Sequence, residues 1–382
     1  MTRIALNALL LSGAEGYRSA GIHRYIEQLL RHLPAAAPDL EFTAWVGPAA
    51  GGESLAGAGI AVQRATWPVD RPVARIAWEQ LMLSGAVARS GADLLHALAY
   101  VLPATSRLAS VVTVYDLSFY RTPERFRFMN RWYLRTFTRR SCRRARRVIA
   151  ISESTRRDVV ALLGVPADRV DVACPGVGPD LHPLPAAEVA DFRRRKGLPE
   201  RFILYLGTIE PRKNLVTLVD AYARLRGDAK LVLAGGRGWL YAEVFARVEA
   251  LGLGDDVVCP GYVPLEELPW WYNAATVFAY PSAYEGFGIP VVEALACGTP
   301  VVTTNVSALP EAAGPVGAQV SPGDVDALAS ALAAALGDAG RRAAVREEGP
   351  AWAARFNWAA TAAATAAGYR RALEGSGRDE LA

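Results

Sequence analysis

Glu285 and Glu293 stand in the stretch Y-P-S-A-Y-E-G-F-G-I-P-V-V-E-A-L-A-C-G-T-P-V-V, which begins at Tyr280 and ends at Val302. Thr276, Val277, Phe278 and Ala279 form an apolar run that predicts a strand. A turn follows at Pro281, Ser282 and Ala283, and Pro290 marks the expected first position of a helix, where an N–H has no intrahelical partner. Gly298 ends that helix. Gly286 and Gly288 let the backbone amides from Gly286 through Phe287 to Ile289 approach a ligand just before a helix N-terminus, an arrangement that attracts an anion, most often a phosphate. Carboxylates on both sides, with Glu293 expected in the first helical turn, need a different partner, because they would repel that anion. A carboxylate accepts two hydrogen bonds and grips a vicinal diol. A nucleoside-diphosphate sugar offers diols on both sides of its diphosphate. The spacing alone equally fits a Glu293 that only complements the helix dipole and a Glu285 that is a solvated loop charge.

A second cluster lies upstream. Phe202 to Leu206 reads as a strand, then G-T-I-E-P-R-K-N-L runs from Gly207 into a helix expected to reach Leu225. Cations are unfavourable at a helix N-terminus unless they face an anion. Arg212 and Lys213 are therefore candidates to stabilise a departing diphosphate. The chain has three lysines, Lys196, Lys213 and Lys230, so lysine is not its default basic residue. Gly235 and Gly236 close another strand, Lys230 to Ala234, and Tyr262 and Val263 follow the strand Val257 to Cys259; Leu265 to Ala275 then reads as a helix and Val301 to Thr304 as a further strand.

The stretch from Glu285 to Val302 resembles the signature of the retaining glycosyltransferases of family 4, and the resemblance extends over nearly the whole chain. It implies an α/β protein of the GT-B fold: two Rossmann-like domains facing across a cleft, with a C-terminal helix crossing back to the N-terminal domain. It implies Glu285 near the sugar hydroxyls and Glu293 on the ribose. Gly207, Gly235 and Gly236 would lie by the nucleotide, backbone groups of Tyr262 and Val263 by the base, and Gly21 near the cleft. Relatives often have His-Asp where this chain has Tyr115-Asp116, and an Arg where it has Thr208. The pair G-T-I-E-P-R-K-N and G-R-G-W resembles mannosyl- and rhamnosyl-transferring members, which makes GDP-mannose the first expectation for the donor. The implied reaction is front-face transfer of a hexosyl group to a saccharide or lipid-linked acceptor, with no cofactor and no metal.

These residues need two sheets to position them. At 382 residues the chain can bury two cores. The expected division is an acceptor domain over 1–183, joined by a crossing helix over about 356–382, and a nucleotide-sugar domain over 184–355, with residues 178–199 as the linker. In the first domain, strands are expected at Arg3 to Leu11, Glu41 to Val46, Ile60 to Arg64, Leu94 to Ala97, Ser110 to Val114, Val148 to Ser152 and Arg169 to Ala173. A glycine-containing loop over 12–21 precedes a helix from Ile22 to Leu33 with apolar residues at a 3.6-residue period. Asp116 ends a strand, where ligands of open α/β sheets bind and where a turn cap is also expected. His96, at another strand end, reads as structural.

Composition narrows the classes. The chain is 52% hydrophobic with net charge +4, and it has no apolar run of membrane-spanning length. Its start reads as a first strand, not a signal peptide. Cys142, Cys174, Cys259 and Cys297 are spread without C-x-x-C and read as reduced cytosolic thiols, neither a disulfide frame nor a metal site. The expected location is the cytoplasm, peripheral at the inner membrane face. Eleven arginines lie between Arg121 and Arg147, among Phe126, Phe128, Trp132, Tyr133 and Phe137. They fit a core-packed helix pair with a solvated face or a surface for anionic lipid, and no nucleic-acid motif accompanies them. Asp324 and Asp326 form D-x-D in the context of a helix cap. A two-Rossmann nicotinamide oxidoreductase is an alternative that lacks its G-x-G-x-x-G, and a catalytically silent glycan- or lipid-binding scaffold is another.

Overall fold

A computed structural model describes residues 1–11, 21–48, 53–123, 126 and 128–374. Residues 12–20 of the expected loop, residues 375–382 at the end of the expected crossing helix, and Arg125 and Arg127 of the basic stretch lie outside the described residues. The chain forms two compact units, Met1–Gly176 with Trp358–Ala382, and Val177–Asn357. It changes unit at Gly176, ahead of the border expected at 183.

The first unit holds a seven-stranded sheet in the order β3-β2-β1-β4-β5-β6-β7. Its strands are β1 Thr2–Asn7, β2 Leu40–Val46, β3 Ala61–Arg64, β4 Leu94–Ala97, β5 Ala109–Val114, β6 Arg147–Ala150 and β7 Val170–Val172. All pairs are parallel. The central strands are mostly apolar, with buried His96, Ser110 and Thr113 as exceptions, because a parallel sheet is covered on both faces. The helix Gly21–Ala36 buries Tyr25, Ile26, Leu29, Leu30 and Leu33. The last helix, Trp358–Glu374, packs on it, with the Trp358 ring edge-on to Tyr25 at 5.6 Å. This is the expected crossing helix, and it belongs to the first unit. Its Tyr369 hydroxyl lies 2.7 Å from Nδ1 of His96, whose Nε2 is 2.8 Å from Thr113 Oγ1. Burial pushes the His96 pKa down to about 3 and keeps the ring neutral. His96 is a packing residue.

The second unit holds a six-stranded parallel sheet in the order β10-β9-β8-β11-β12-β13. The strands are β8 Phe202–Leu206, β9 Lys230–Ala234, β10 Val257–Gly261, β11 Val277–Tyr280, β12 Val301–Thr304 and β13 Ala318–Val320. Strand order reverses between β8 and β11. In open α/β sheets the ligand crevice lies beyond the carboxyl ends at such a reversal. The segment that begins at Gly207 leaves β8 there, and the segment that carries Glu285 leaves β11 there.

Three expectations need correction. The proposed linker contains a helix, Ala186–Lys196, ended by Gly197 at φ 62°. The helix expected through Leu225 is a 3-10 turn, Pro211–Lys213, then a separate helix Leu215–Ala223, broken at Asn214 with φ 55°. The helix expected from Leu265 likewise splits into a 3-10 turn, Leu265–Glu267, and the helix Leu268–Ala274.

Candidate active site

Glu285 is the centre of the charged cluster in the second unit. Its Oε1 accepts a 2.6 Å bond from Lys213 Nζ and a 3.3 Å bond from the Tyr280 hydroxyl, and its Oε2 accepts a 3.0 Å bond from Arg212 Nη1. Its backbone N–H donates to Ser307 Oγ at 2.9 Å. The residue is 8% exposed, so it is no solvated loop charge. Burial alone would raise its pKa. The Arg212 and Lys213 charges, with the bond from Lys213, outweigh burial and hold it at about 2. Lys213 is itself buried, and burial followed by the neighbouring Arg212 moves its pKa down from the usual lysine value.

The backbone brings these residues together. The Ala283 N–H donates to the Arg212 carbonyl at 2.9 Å, tying the 3-10 turn after β8 to the loop after β11. Arg212 is also held by Glu210 and by the Tyr284 carbonyl. Sequence reasoning missed Glu210 and Tyr280 as members of the cluster. The signal for Tyr280 was present: an aromatic with a polar tip closes an otherwise apolar strand.

The glycines do more packing than expected. Gly235 has φ 140°, and a Cβ placed on it would lie 2.0 Å from the Gly207 carbonyl oxygen. The ends of β8 and β9 therefore touch backbone to backbone, and the Ile209 N–H continues the ladder to the Gly236 carbonyl at 2.9 Å. Gly288, at φ 110°, is the N-cap of the helix Ile289–Ala296, in a backbone conformation that disfavours any side chain, and a Cβ there would lie 2.9 Å from Leu309 Cδ2. Ile289, not Pro290, is thus the first helical residue.

Glu293 consequently falls beyond the first turn. It is 2% exposed, and its carboxylate accepts a 2.8 Å bond from the Tyr272 hydroxyl. Phe287 is buried with its ring edge-on to Phe356, Val263 is buried, and Tyr262 is exposed. Thr208 turns its carbonyl to the Tyr205 hydroxyl. Asp324 caps the helix Val325–Gly337 and Asp326 pairs with Arg224, so D-x-D serves a helix start.

The first-unit candidates have local partners. Asp116 Oδ1 accepts from the Ser118 N–H at 2.8 Å and the Ser118 hydroxyl at 2.6 Å, which is the capping alternative. Tyr115 is buried and donates to the Leu98 carbonyl at 2.7 Å, so its hydroxyl is engaged within the first unit. Gly21 opens its helix with nothing within 4 Å of where a Cβ would sit.

The basic stretch is a short helix, Ser118–Arg121, and a long one, Phe128–Arg144, and the long helix buries only Thr138, Ser141 and Cys142. Its first turns are not core-packed: Phe128 is 68% exposed, Met129 67% and Trp132 52%. Further along, Arg135, Arg139, Arg140, Arg143 and Arg144 line an open groove of about 720 Å³ with Tyr120 and Thr136. No helix among the described residues is long and apolar enough to cross a membrane.

Residues 19–181 match the family model described as Glycosyltransferase Family 4, and residues 188–352 match the one described as Glycosyl transferases group 1. O-antigen chain mannosyltransferase B of Escherichia coli is 35% identical over 254 residues, 65% of this chain and 67% of that protein. The chain belongs to glycosyltransferase family 4. As a family 4 protein it is a hexosyl-transferring enzyme, which sets aside the nicotinamide-dependent alternative. Serotype-specific mannosyltransferase WbdA of Escherichia coli is 32% identical over 241 residues, 61% of this chain but only 30% of WbdA's length. Among solved structures, sucrose-phosphate synthase from Thermosynechococcus elongatus superposes with a TM-score of 0.80, covering 98% of this chain and 100% of that one at 24% identity. That likeness shows the shared fold, GT-B.

Proposed function

We propose that this enzyme transfers a mannosyl group from GDP-mannose, with retention at the anomeric carbon, to a saccharide or lipid-linked saccharide hydroxyl in the synthesis of a cell-surface polysaccharide or glycolipid. The observation that carries the reading is the buried Glu285 carboxylate held between Arg212 and Lys213 at the strand-order reversal of the second sheet. The mannosyltransferases among its relatives favour mannose as the sugar. In this reading Arg212, Lys213 and the amides from Gly286 to Ile289 neutralise charge on the diphosphate as its bond to the anomeric carbon breaks. The acceptor oxygen bonds to that carbon on the same face, and its proton passes to the departing diphosphate oxygen. Glu285 orients the sugar hydroxyls and faces the positive charge developing at the anomeric carbon. Glu293, Gly207, Gly235, Gly236, Tyr262 and Val263 serve the nucleoside side, and Gly21 and Asp116 the acceptor side. The cationic pair supplies the charge neutralisation, so turnover is expected to survive EDTA.

We read the enzyme further as cytoplasmic and peripheral at the anionic inner membrane face. The exposed Phe128, Met129 and Trp132 beside the arginine groove support this. The test of function is incubation with a panel of nucleotide sugars without acceptor, followed by proton NMR. Slow release of α-mannose from GDP-mannose is expected. Release from another nucleotide sugar alone overturns the donor, β-mannose as the first product overturns retention, and no release from any of them overturns the reading of Glu285, Arg212 and Lys213 as the donor site.

A further inference from the structure

Lys213 is anchored from two directions. One N–H goes to Glu285, and another goes to the Tyr280 hydroxyl at 2.6 Å. Tyr280 in turn donates its own O–H to Glu285 Oε1 at 3.3 Å, so the three polar groups close a triangle. The corner that Tyr280 supplies is the rigid one. It is the last residue of β11, 2% exposed, and its ring is stacked near parallel with Tyr205 at 6.0 Å and with Phe278 at 5.8 Å. Lys213 sits on a 3-10 turn and Glu285 on a loop, elements with no ladder of their own to fix them. A phenylalanine would fill the same stack, so packing does not account for the hydroxyl.

We propose that Tyr280 is a positioning residue for the donor-site lysine: its hydroxyl, fixed by the sheet, holds the Lys213 ammonium against Glu285 and aims the remaining N–H toward the crevice beyond β8 and β11. Tyr280 acts on the reaction through Lys213. The groups that face this ammonium are Glu285 and Tyr280 from the β11 side, with Arg212 and Glu210 from its own turn, while Tyr205 stands behind Tyr280. Of these only Tyr280 adds a neutral acceptor, which stabilises the ammonium without cancelling its charge. Its catalytic consequence rests on the diphosphate reading above, whereas the anchoring itself does not.

The experiment is lysine titration in the whole protein labelled with 13C-lysine, where three lysines give three resolvable Cε signals. In Tyr280→Phe the midpoint of Lys213 is expected to fall by roughly half to one pH unit, because the charged form loses an acceptor. Tyr205→Phe, whose hydroxyl serves the Thr208 carbonyl, is expected to leave that midpoint in place. An unchanged midpoint in a folded Tyr280→Phe overturns the proposal. Should that variant fail to fold, the Cζ signal of Tyr280 in labelled wild-type protein decides: a shift that tracks the Lys213 titration supports it, and a flat signal overturns it. With GDP-mannose, Tyr280→Phe is expected to lose roughly tenfold in kcat, with the alkaline limb of the profile moved to lower pH. If the wild-type enzyme ignores GDP-mannose, the donor assignment fails while the lysine titration still decides the anchoring.

Discussion

Lys213 Nζ lies 2.6 Å from Glu285 Oε1, with 8% and 9% of the two side chains exposed. A pair this deeply buried is costly to break from one side, because the remaining charge keeps its desolvation penalty without its partner. Lys213→Met is therefore expected to lower unfolding stability by about 3 kcal/mol. Adding Glu285→Gln is expected to restore part of that loss, and urea unfolding of the two singles and the double measures it. A double mutant whose loss equals the sum of the singles would show that the two do not interact.

The same carboxylate sets an acid limit. Its folded pKa of about 2 lies below the usual 4.5, so its contribution to stability is complete above pH 4.5 and disappears as pH falls through 2. Comparison of wild type with Glu285→Gln at pH 6 and at pH 2 is expected to show the difference between them shrinking at the lower pH.

Glu79 has the opposite sign. It is 8% exposed, hydrogen-bonded to the Asn7 amide, and burial raises its pKa to about 7. The folded protein then binds more protons than the unfolded chain between pH 4.5 and 7, so this group's contribution falls as pH rises through that window. Glu79→Gln cannot ionise and is expected to gain on the wild type by on the order of 2–3 kcal/mol from pH 4.5 to pH 8. Parallel stability curves for the two proteins would contradict this.

Gly235→Ala is expected to cost more than about 3 kcal/mol, since it adds overpacking to backbone strain. The Gly207 carbonyl lies 2.0 Å from the new Cβ, and the backbone sits at φ 140°. Gly254→Ala, with open space around it, serves as the control in the same thermal melt.

Much of the second sheet was legible in the sequence because its strands are short, buried, apolar runs: β8, β9 and β12 fall at their expected bounds. The edge strand β13, A-Q-V, was not, because half-exposed edge residues carry no apolar run. The helix Ala186–Lys196 was hidden by four consecutive basic residues and a Pro-rich approach, and it buries only Val189 and Phe192. Within the site, Glu285, Arg212 and Lys213 were visible by type, but their mutual pairing spans 72 residues of sequence between Lys213 and Glu285. No local pattern encodes such a contact. The displacement of Glu293 from the first turn has a one-residue cause: Gly288 caps the helix, where Pro290 had suggested a later start.

The arginine groove gives a salt-dependent prediction. Wild-type protein is expected to sediment with vesicles of phosphatidylcholine and phosphatidylserine, and Arg139→Ser with Arg140→Ser is expected to weaken this by roughly thirtyfold, at about 1 kcal/mol per arginine. Equal binding to vesicles without phosphatidylserine would contradict an electrostatic contribution.

Calorimetric titration of GDP-mannose into wild type, Lys213→Ala and Glu285→Gln, paired with turnover of the same samples, decides whether the buried pair binds and activates the donor. Lys213→Ala is expected to lose at least about tenfold in donor affinity, the size of removing a hydrogen bond to a charged group. Glu285→Gln is expected to lose more in turnover than in affinity. Wild-type affinity and turnover in both variants would contradict a donor-site role for the pair, because donor would then be bound and cleaved without it.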